Sequence, residues 1–316
     1  MKSLSHLLIL LFLGLSSIAN AQWSCGDTLI DKRDGKAYAT VQIANQCWLA
    51  QNLNHGKMIE STVGGHLMLD DSIIERYSYK NIDQNSDTSD HPGAYYEYTE
   101  AVQYKPFIGE NIQGVCPDGW HIPTTMEFTE LVEATGGDSI AGLLLRKGGN
   151  SGFESYYCGW RCMMGKGSFF TAYPSFSPPA PVSFYWTADT TGSKGNLMRL
   201  NAADNNVLIT KSFGNMLGMN IRCILDKSQK IKTLNLNIKK ASFCDKGINM
   251  KVISNFSGNF RLQIINQNTD IIYDQTIMIK NAKQKVIIDL KEQIAMGELF
   301  ISLSNQRYFS SIKLTK

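Results

Sequence analysis

Residues 116–137, with the sequence CPDGWHIPTTMEFTELVEATGG, contain a helix whose beginning and end are both marked. Thr124 and Glu127 have the spacing of a capping box, in which each side chain accepts a hydrogen bond from the other residue's backbone amide. Apolar residues then recur at helical spacing, and Gly136 and Gly137 suit the left-handed conformation at which helices commonly end. The stretch therefore predicts a helix that starts after Thr124 and stops before Gly136.

A second, shorter helix is predicted farther along the chain. It runs from Ile140 to Arg146, after the polar pair Asp138-Ser139 and before the glycine pair Gly148-Gly149. The remainder of this half of the chain is predicted to form strands, turns and long loops.

The composition changes near residue 228. All eight prolines and all five tryptophans precede that point, and after it apolar residues alternate with polar ones, as at Leu234, Leu236 and Ile238. Alternation with a period of two predicts half-buried strands, and the spacing of the strands predicts a small antiparallel sandwich. We therefore expect two domains, over residues 22–227 and 228–316, each able to bury its own core.

The first 21 residues, MKSLSHLLILLFLGLSSIANA, have the organisation of a secretory signal peptide. Lys2 is followed by an apolar block and by the small-residue pattern Ala19-Asn20-Ala21, so cleavage is expected before Gln22. Elsewhere no uninterrupted apolar run reaches the roughly 18 residues that span a bilayer. The sequence predicts a secreted or outer-cell-surface protein without a transmembrane segment after signal removal.

Composition also limits the partners of the chain. Of its 316 residues 43% are hydrophobic and 19% are charged, which is enough apolar material for one or two cores. The formal net charge of +3 is too small for the basic surface that nucleic-acid binding usually needs. A nucleic-acid partner is therefore not expected.

Seven cysteines follow the predicted signal peptide, and an oxidising compartment favours disulfides between them. A bond between Cys116 and Cys223 would close a loop of 107 residues and restrict the unfolded chain by about 4 to 5 kcal/mol. The histidines are scattered and show no zinc-binding motif, so no metal or other cofactor is expected. The predicted pairs are Cys25 with Cys47, Cys116 with Cys223 and Cys158 with Cys162, which leaves Cys244 over.

Ordered sequence blocks extend over roughly residues 25–226. They are DGKAYATVQIANQCWLAQNL at 34–53, YSYKN at 77–81, GAYYEYTEA at 93–101, CPDGWHIPT at 116–124, Ala141-Gly142, YWT at 185–187 and IRC at 221–223. These blocks resemble the Fibrobacter succinogenes major paralogous domain, whose members begin with a DGxxYxTVxIGxQxWxxxNL pattern and place similar residues in the same order.

The resemblance implies a C-type-lectin-like α+β fold in a secreted or surface-exposed bacterial protein, for which no enzymatic activity is established. The expected fold class is thus an α+β C-type-lectin-like domain followed by a small all-β sandwich domain. The chain departs from the family pattern at three places. Ala44 replaces the usual glycine of the IGxQ turn, Tyr98 replaces a usual tryptophan, and the loop YYCGWRCMM at 156–164 replaces a Gly-Tyr-Arg segment.

The C-terminal region, residues 249–316, contains Asp289-Leu290, the segment MGELF at 296–300 and the ending IKLTK at 312–316. With these elements it resembles the sorting domain of the type IX secretion system of Bacteroidota. It implies that the type IX secretion machinery is a partner and that the region serves export. The chain lacks the Gly-x-Tyr element that those domains usually show.

The aromatic loop is the candidate ligand-binding site. Tyr156, Tyr157, Trp160 and Arg161 lie in a loop bounded by glycine and cysteine, where flat rings can stack on a glycan or contact a protein. Local packing around a small disulfide explains the same residues equally well.

Other conspicuous residues are interpreted as structural. Trp48, Trp120 and Trp186 lie between apolar residues and are predicted to be part of the core. His121 is predicted to be a satisfied structural histidine, since no catalytic constellation accompanies it. The acidic stretch at 83–90 fails the EF-hand pattern, so it is interpreted as a solvated loop, with a weak calcium site as the alternative.

These observations favour a non-catalytic recognition module for an unidentified extracellular glycan or protein, with no catalytic residue. A structural surface protein without a specific ligand is one alternative, because a stable fold with exposed loops suits both roles. A formylglycine-generating-enzyme-like oxidase is another, since those enzymes have a related fold and use a cysteine pair, for which Cys158 and Cys162 are the candidates.

Overall fold

A computed structural model describes most of the chain, and strands dominate it. The predicted signal peptide at 1–21 and the acidic stretch at 83–90 lie outside the described residues. The described residues are 23–60, 68–79, 93–107, 109, 111–162, 169–170, 181–212, 214–229, 235–244, 247–290 and 297–315.

Within these ranges the chain forms three helices and twenty strands. The helices are α1 (Tyr98–Ala101), α2 (Thr125–Ala134) and α3 (Asp138–Leu145). The strands up to residue 229 are β1 (Leu29–Ile30), β2 (Ala37–Tyr38), β3 (Thr40–Ile43), β4 (Gln46–Leu49), β5 (Lys57–Met58), β6 (Glu75–Arg76), β7 (Trp120–His121), β8 (Trp160–Arg161), β9 (Phe169–Phe170), β10 (Val182–Thr191), β11 (Lys194–Asn201), β12 (Val207–Lys211) and β13 (Ile224–Leu225). The later strands are β14 (Leu236–Cys244), β15 (Gly247–Ser254), β16 (Gly258–Asn266), β17 (Ile271–Ile279), β18 (Lys283–Asp289), β19 (Glu298–Ser304) and β20 (Tyr308–Thr315).

Both predicted helices are confirmed. The amide of Glu127 donates to Thr124 Oγ1 at 3.2 Å, and the amide of Thr124 donates to Glu127 Oε2 at 3.0 Å, so the capping box that begins α2 is complete. Gly136 and Gly137 have φ values of +104° and +82° and separate α2 from α3. Local sequence signals set the boundaries of α2. The second helix begins at Asp138, before the predicted start at Ile140, and ends at Leu145 instead of Arg146.

An eight-stranded sheet runs through both halves of the chain. Its strand order is β17-β16-β19-β20-β3-β4-β13-β7, so C-terminal strands lie on one side of β3 and N-terminal strands on the other. β20 and β3 pair in parallel, with Tyr308 opposite Gln42 and Phe309 opposite Ile43. We call this β20–β3 pairing the strand junction.

A hydrophobic cluster crosses the strand junction. Trp48 on β4 stacks on Phe128 of α2, with ring centroids 5.3 Å apart. Phe300 of β19 and Phe309 of β20 are buried in the same cluster. The two halves of the chain thus share apolar surface as well as backbone hydrogen bonds.

The tryptophans predicted to be core residues are buried. Trp48 and Trp186 are fully buried and Trp120 is 2% exposed, which confirms the prediction.

The C-terminal strands enclose another core between two sheets. β14, β15 and β18 form an antiparallel sheet of their own, whereas β16, β17, β19 and β20 belong to the eight-stranded sheet. Ile248 and Met250 from the first sheet meet Phe260, Leu262 and Ile264 from the second. Alternate residues of β16 are therefore buried in this core, as the period-two pattern after residue 228 predicts.

The expected fold class, an α+β C-type-lectin-like domain followed by a small all-β sandwich domain, is wrong. The helices are few and short, the strands form several sheets, and the largest sheet includes strands from both halves. The error has a physical cause. The two helices carry complete end signals, whereas most strands before residue 229 are two residues long and show no periodicity that a sequence could reveal.

Two of the three predicted disulfides are confirmed. Cys25 is bonded to Cys47 and Cys116 to Cys223. All seven cysteines lie among the described residues, and the predicted bond between Cys158 and Cys162 is not formed. Cys244, predicted to be left over, is exposed on β14 and forms no disulfide.

The β3–β4 turn explains one departure from the family pattern. Ile43 pairs with Gln46 across a two-residue turn, and Ala44 has a φ of +50°. Glycine is preferred at the first position of such a turn because it adopts positive φ without a steric penalty. Ala44 therefore carries backbone strain that the usual glycine would avoid.

The side chain of His121 on β7 connects Glu127 of α2 with Asp226, the residue that follows β13. The imidazole is 1% exposed; its Nδ1 lies 2.6 Å from Asp226 Oδ1, and its Nε2 lies 3.2 Å from both carboxylate oxygens of Glu127. Burial lowers the pKa of His121, but the hydrogen bonds and charges of the two carboxylates outweigh burial and raise it. Burial raises the pKa of Glu127, but hydrogen bonds from His121 and Thr124 outweigh burial and lower it. His121 is a satisfied, buried residue, as predicted.

Replacing Ala44→Gly is expected to stabilise the protein. A left-handed conformation costs a non-glycine residue about 1–2 kcal/mol, and the extra backbone entropy of unfolded glycine offsets about 0.5–1 kcal/mol of that. The expected gain in the free energy of unfolding is therefore about 0.5–1 kcal/mol, measured by urea denaturation. Gly35→Ala is the matched reverse change, since Gly35 has a φ of +75° and open space around it, and it should destabilise. A loss of stability on Ala44→Gly would contradict the turn argument.

The substitution Phe309→Ala lies on the C-terminal strand β20, yet it is expected to destabilise the N-terminal half of the chain. Phe309 is 3% exposed in the shared cluster, so its removal should lower the free energy of unfolding by about 3–5 kcal/mol. All five tryptophans precede residue 228, so tryptophan fluorescence reports the N-terminal half alone. Met278→Ala on β17, at a side chain 57% exposed, is the control and should leave the midpoint nearly unchanged. An unchanged fluorescence midpoint in Phe309→Ala would mean that the halves unfold independently.

The His121 cluster is expected to give a defined pH dependence. The raised pKa of His121 means that its stabilisation is complete below its ordinary pKa of 6.5 and is lost as the pH rises through the folded value. The lowered pKa of Glu127 means that its stabilisation is complete above 4.5 and is lost as the pH falls through the folded value. The stability difference between the wild type and His121→Gln should therefore be largest from about pH 4.5 to 6.5. Urea titrations from pH 4 to 9 measure it, and a difference that does not vary with pH would refute the assignment.

Candidate functional site

A groove lies where three segments of the N-terminal half meet: the turn at 31–36, the segment at 54–58 and the segment at 72–76. Its volume is about 830 Å³. We call it the basic groove. Its lining residues are Arg33, Asp34, Lys36, His55, Gly56, Lys57, Met58, Ser72, Ile73, Ile74 and Arg76.

The wall of the basic groove depends on a close backbone approach at Gly56. This residue has a φ of +113°, and a Cβ there would lie 2.5 Å from the carbonyl oxygen of Ile74. The approach allows the amide of Lys57 to donate to the same carbonyl at 2.8 Å, next to the parallel pair of β5 and β6. Arg76, 2% exposed, donates from Nε to the Gly56 carbonyl oxygen at 2.9 Å and from Nη1 to Ser78 Oγ at 2.5 Å. The wall is thus held by backbone contacts and by a buried guanidinium.

Asp34 connects the turn at 31–36 with the segment at 54–58 in the basic groove. Its Oδ2 atom lies 2.8 Å from His55 Nδ1 and 3.4 Å from Lys36 Nζ, and Lys36 Nζ also donates to the carbonyl oxygen of Asn54. The Tyr96 hydroxyl donates to the carbonyl oxygen of His55 at 2.6 Å. Burial raises the pKa of Asp34, but the hydrogen bonds from His55 and from the Lys36 amide, together with their charges, outweigh burial and lower it. Asp34 therefore stays ionised and holds the side chains of His55 and Lys36 in place.

Asp31 positions Arg33, which lines the basic groove. Arg33 donates from Nε to Asp31 Oδ1 at 2.9 Å and from Nη2 to Oδ2 at 2.7 Å, and its Nη1 donates to the carbonyl oxygen of Val115 at 3.0 Å. Among the described residues, ligand atoms of Asp31, Asp34 and His55 lie within 4.8 Å of one another, a spacing that could hold a metal ion. Both carboxylates already compensate protein cations, so a metal ion would have to compete with Arg33 and Lys36.

The electrostatics of the basic groove suit an anionic ligand with an apolar side. Its lining contains two arginines and two lysines against one aspartate. Lys57 is exposed at the groove, and Met58 and Ile73 supply apolar surface beside it, with Ile73 46% exposed. A cleft with an excess of one charge attracts ligands of the opposite charge.

The structure separates the residues that the sequence predicts as one ligand-binding cluster. Trp160 packs edge-on against Phe184, with ring centroids 5.1 Å apart, beside a core cluster that also contains Trp186. Tyr157 packs against the cluster that contains Trp48. Tyr156 packs against a smaller, separate cluster that contains Tyr95. The three rings therefore do not form one stacking platform.

Arg161, the fourth predicted ligand-binding residue, is fully buried. Its guanidinium lies 4.0 Å from the centroid of the Tyr77 ring, and its Nη1 lies 3.3 Å from Glu97 Oε1. The cation thus balances a buried carboxylate, as buried charges in proteins generally require.

Cys158 is a buried thiol. Its Sγ donates to Asn220 Oδ1 at 2.9 Å, and burial raises its pKa to about 12. Cys162 is buried as well, and the two cysteines are not joined. A thiol with such a pKa stays protonated at neutral pH, whereas nucleophilic and redox chemistry need the thiolate.

Sequence reasoning did not identify the basic groove, because its three segments meet only through tertiary contacts. Asp34 and His55 are 21 residues apart. The dipeptide Asp34-Gly35 is a turn signal, but no sequence pattern connects it to His55 or to the buried Arg76.

Comparison with known families agrees with the resemblance seen in the sequence. The sequence model of the Fibrobacter succinogenes major domain matches residues 41–225, which include the whole 54–58 and 72–76 walls of the basic groove. No curated protein and no solved structure matches the chain. Within the described residues no helix is both long and apolar enough to cross a membrane, and the two disulfides are typical of proteins outside the cytoplasm. Since the match covers more than half of the chain, this protein belongs to the Fibrobacter succinogenes major domain family.

Proposed function

We propose that this protein is a secreted or cell-surface recognition module that binds a short acidic segment of an extracellular glycan or protein in the basic groove, without catalysing a reaction. The observation that carries the proposal is the excess of arginine and lysine in the lining of the groove, whose wall is held by hydrogen bonds of Asp34, His55 and the buried Arg76. Lys57 is an exposed cation at the groove and is available to a ligand.

Preorganisation supports a binding role. The Gly56–Ile74 approach and the Arg76 contacts define the shape of the wall in the protein alone. A site that is ordered beforehand loses less conformational entropy when a ligand binds, so more of the contact energy becomes affinity. The apolar side chains of Met58 and Ile73 add burial to the charge interaction.

An extracellular location is part of the same proposal. The two disulfides support it, since such bonds persist in oxidising compartments. The signal-peptide pattern at 1–21 and the tail that resembles a type IX sorting domain support it independently. We propose the type IX secretion machinery as the export partner, with residues 228–316 as the part it reads.

The absence of catalysis is likewise a proposal. Family membership supports a non-enzymatic domain. The raised pKa of the Cys158 thiol argues against a formylglycine-generating-type oxidase that uses Cys158 and Cys162. A structural surface protein without a ligand is the remaining alternative, and binding measurements distinguish it.

Charge reversal at Lys57 should weaken ligand recognition. We expect residues 22–316 to bind acidic but not neutral members of an array of glycans and peptides, and Lys57→Glu to weaken the positive hits at least tenfold. A hydrogen bond to a charged group contributes about 1.5–3 kcal/mol, which corresponds to that loss. Isothermal titration calorimetry measures the affinity, and the melting temperature should be unchanged because Lys57 is exposed.

Two further variants make this test specific. Lys105→Glu makes the same charge change at an exposed lysine outside the groove and should leave the affinity within about twofold. Trp160→Ala removes a ring that packs against Phe184, so it should lower the melting temperature but retain binding. Binding lost in Trp160→Ala at an unchanged melting temperature would assign recognition to the aromatic loop instead. An array without any hit would favour the structural role.

A further inference from the structure

Four exposed lysines gather on the outer side of the three-stranded sheet formed by β14, β15 and β18. Lys240, Lys251, Lys283 and Lys285 line a shallow depression of about 400 Å³, together with the neutral residues Ser242, Asn249 and Gln284. We call this surface the lysine face. It lies on strands that follow residue 235, whereas the basic groove is built by residues 33–76.

Strand register aligns three of these lysines in one row. Lys240 on β14 is the pairing partner of Lys251 on β15, and Lys251 is the pairing partner of Lys285 on β18. Directly opposite residues have Cβ atoms about 4.5–5.5 Å apart, so the row spans roughly 10 Å. Lys283 lies two residues from Lys285 and therefore points to the same side of the sheet.

The same strands show that the row faces outward. Met250 and Val252, the neighbours of Lys251 in sequence, are fully buried in the core, as is Ile248. The lysines alternate with these residues, as expected for a sheet with one buried and one solvated face.

Like charges directly opposite one another destabilise a sheet, so this arrangement needs a reason. On the other sheet of the same core, exposed cations have carboxylate partners. Arg261 lies 2.5 Å from Asp274 across β16 and β17, and Lys313 lies 2.7 Å from Glu298 across β19 and β20. The described residues that line the lysine face include no carboxylate.

Protection of a sheet edge does not account for the whole row. Lysines on edge strands prevent pairing with other chains, and β18 is an edge of its sheet. Lys251, however, lies on β15, the central strand, whose backbone is paired on both sides. A lysine there blocks no edge, yet it increases the repulsion along the row.

We propose that the lysine face binds an anionic polysaccharide, a polymer that carries sulfate or carboxylate groups along its length. Charge complementarity supports this occupant, because bound anions would convert the repulsion between Lys240, Lys251 and Lys285 into attraction. A polymer fits better than a single small anion, since the cations form a row across three strands rather than converging on one point. This site is separate from the basic groove and does not depend on the function proposed for it.

The experiment uses residues 22–316 and immobilised heparin as the anionic polysaccharide probe, with neutral dextran as the uncharged comparison. The row variant Lys240→Gln, Lys251→Gln, Lys285→Gln removes three positive charges. The matched control Lys105→Gln, Lys211→Gln, Lys227→Gln removes three charges from exposed lysines outside both surfaces. We expect heparin affinity to fall at least tenfold in the row variant and less than twofold in the control, with no binding to dextran. The melting temperature of the row variant should equal or exceed that of the wild type, because the repulsion is relieved.

Each other outcome would overturn the proposal. Equal losses in the two triple variants would show a general effect of net charge, and unchanged affinity in the row variant would exclude the lysine face. Heparin binding lost in Lys57→Glu but kept in the row variant would assign it to the basic groove. Binding to vesicles that contain phosphatidylglycerol, without binding to heparin, would assign the row to a membrane surface instead.

Discussion

The architecture of the chain depends on the pairing of β3 with β4. This hairpin joins the neighbouring strands on both of its sides, the core beneath it and one disulfide. β3 pairs with β20 on one side, and β4 pairs with β13 on the other, so this hairpin lies between the C-terminal and the N-terminal strands. Within it, Cys47 is bonded to Cys25, Trp48 fills the core beneath α2, and Gln46 Nε2 donates to the carbonyl oxygen of Glu127 at 2.9 Å. A shift in register by one residue would break these contacts together, because it would turn each side chain to the opposite face of the sheet.

The distribution of charge matters more for the proposed functions than its sum. The net charge of +3 gives no sign of a binding surface, because most cations of the chain are matched by carboxylates. In the basic groove, Asp31 and Asp34 compensate Arg33 and Lys36, which leaves a fixed wall with Lys57 exposed. On the lysine face such compensation is missing from the described lining residues. Such a local excess of positive charge depends on strand register, which cannot be deduced from the amino-acid composition.

Local signals in the sequence predicted local structure. The capping box at Thr124 fixes the start of α2 through neighbouring atoms, and the apolar surroundings of Trp48 and Trp186 identify core positions. The two long-range disulfides were also predicted, because the segments that carry Cys116 and Cys223 are strongly patterned. The helix boundary and the core positions require little knowledge of how distant segments pack, whereas the disulfides join positions 22 and 107 residues apart.

Features that depend on packing were not predicted. The fold class was wrong because two-residue strands have no readable period, and because the strand junction joins residues more than 260 positions apart, as in the pairing of Gln42 with Tyr308. Arg161 was interpreted as a ligand contact, although Glu97 and Tyr77, far away in sequence, bury and balance it. The basic groove was missed for the same reason.

The shortness of the strand junction has a mechanical consequence. Its parallel register contains two residue pairs, with hydrogen bonds from the Gln42 amide to the Arg307 carbonyl oxygen and from the Ala44 amide to the Phe309 carbonyl oxygen. Suppose that one ligand is bound in the basic groove and a polysaccharide is bound on the lysine face. A force that pulls the two ligands apart is then transmitted through this part of the sheet. A pull along β20 loads its bonds in shear, so they share the force instead of opening one after another. The junction and the apolar cluster around Phe300 and Phe309 would then together set the force at which the two halves of the chain separate.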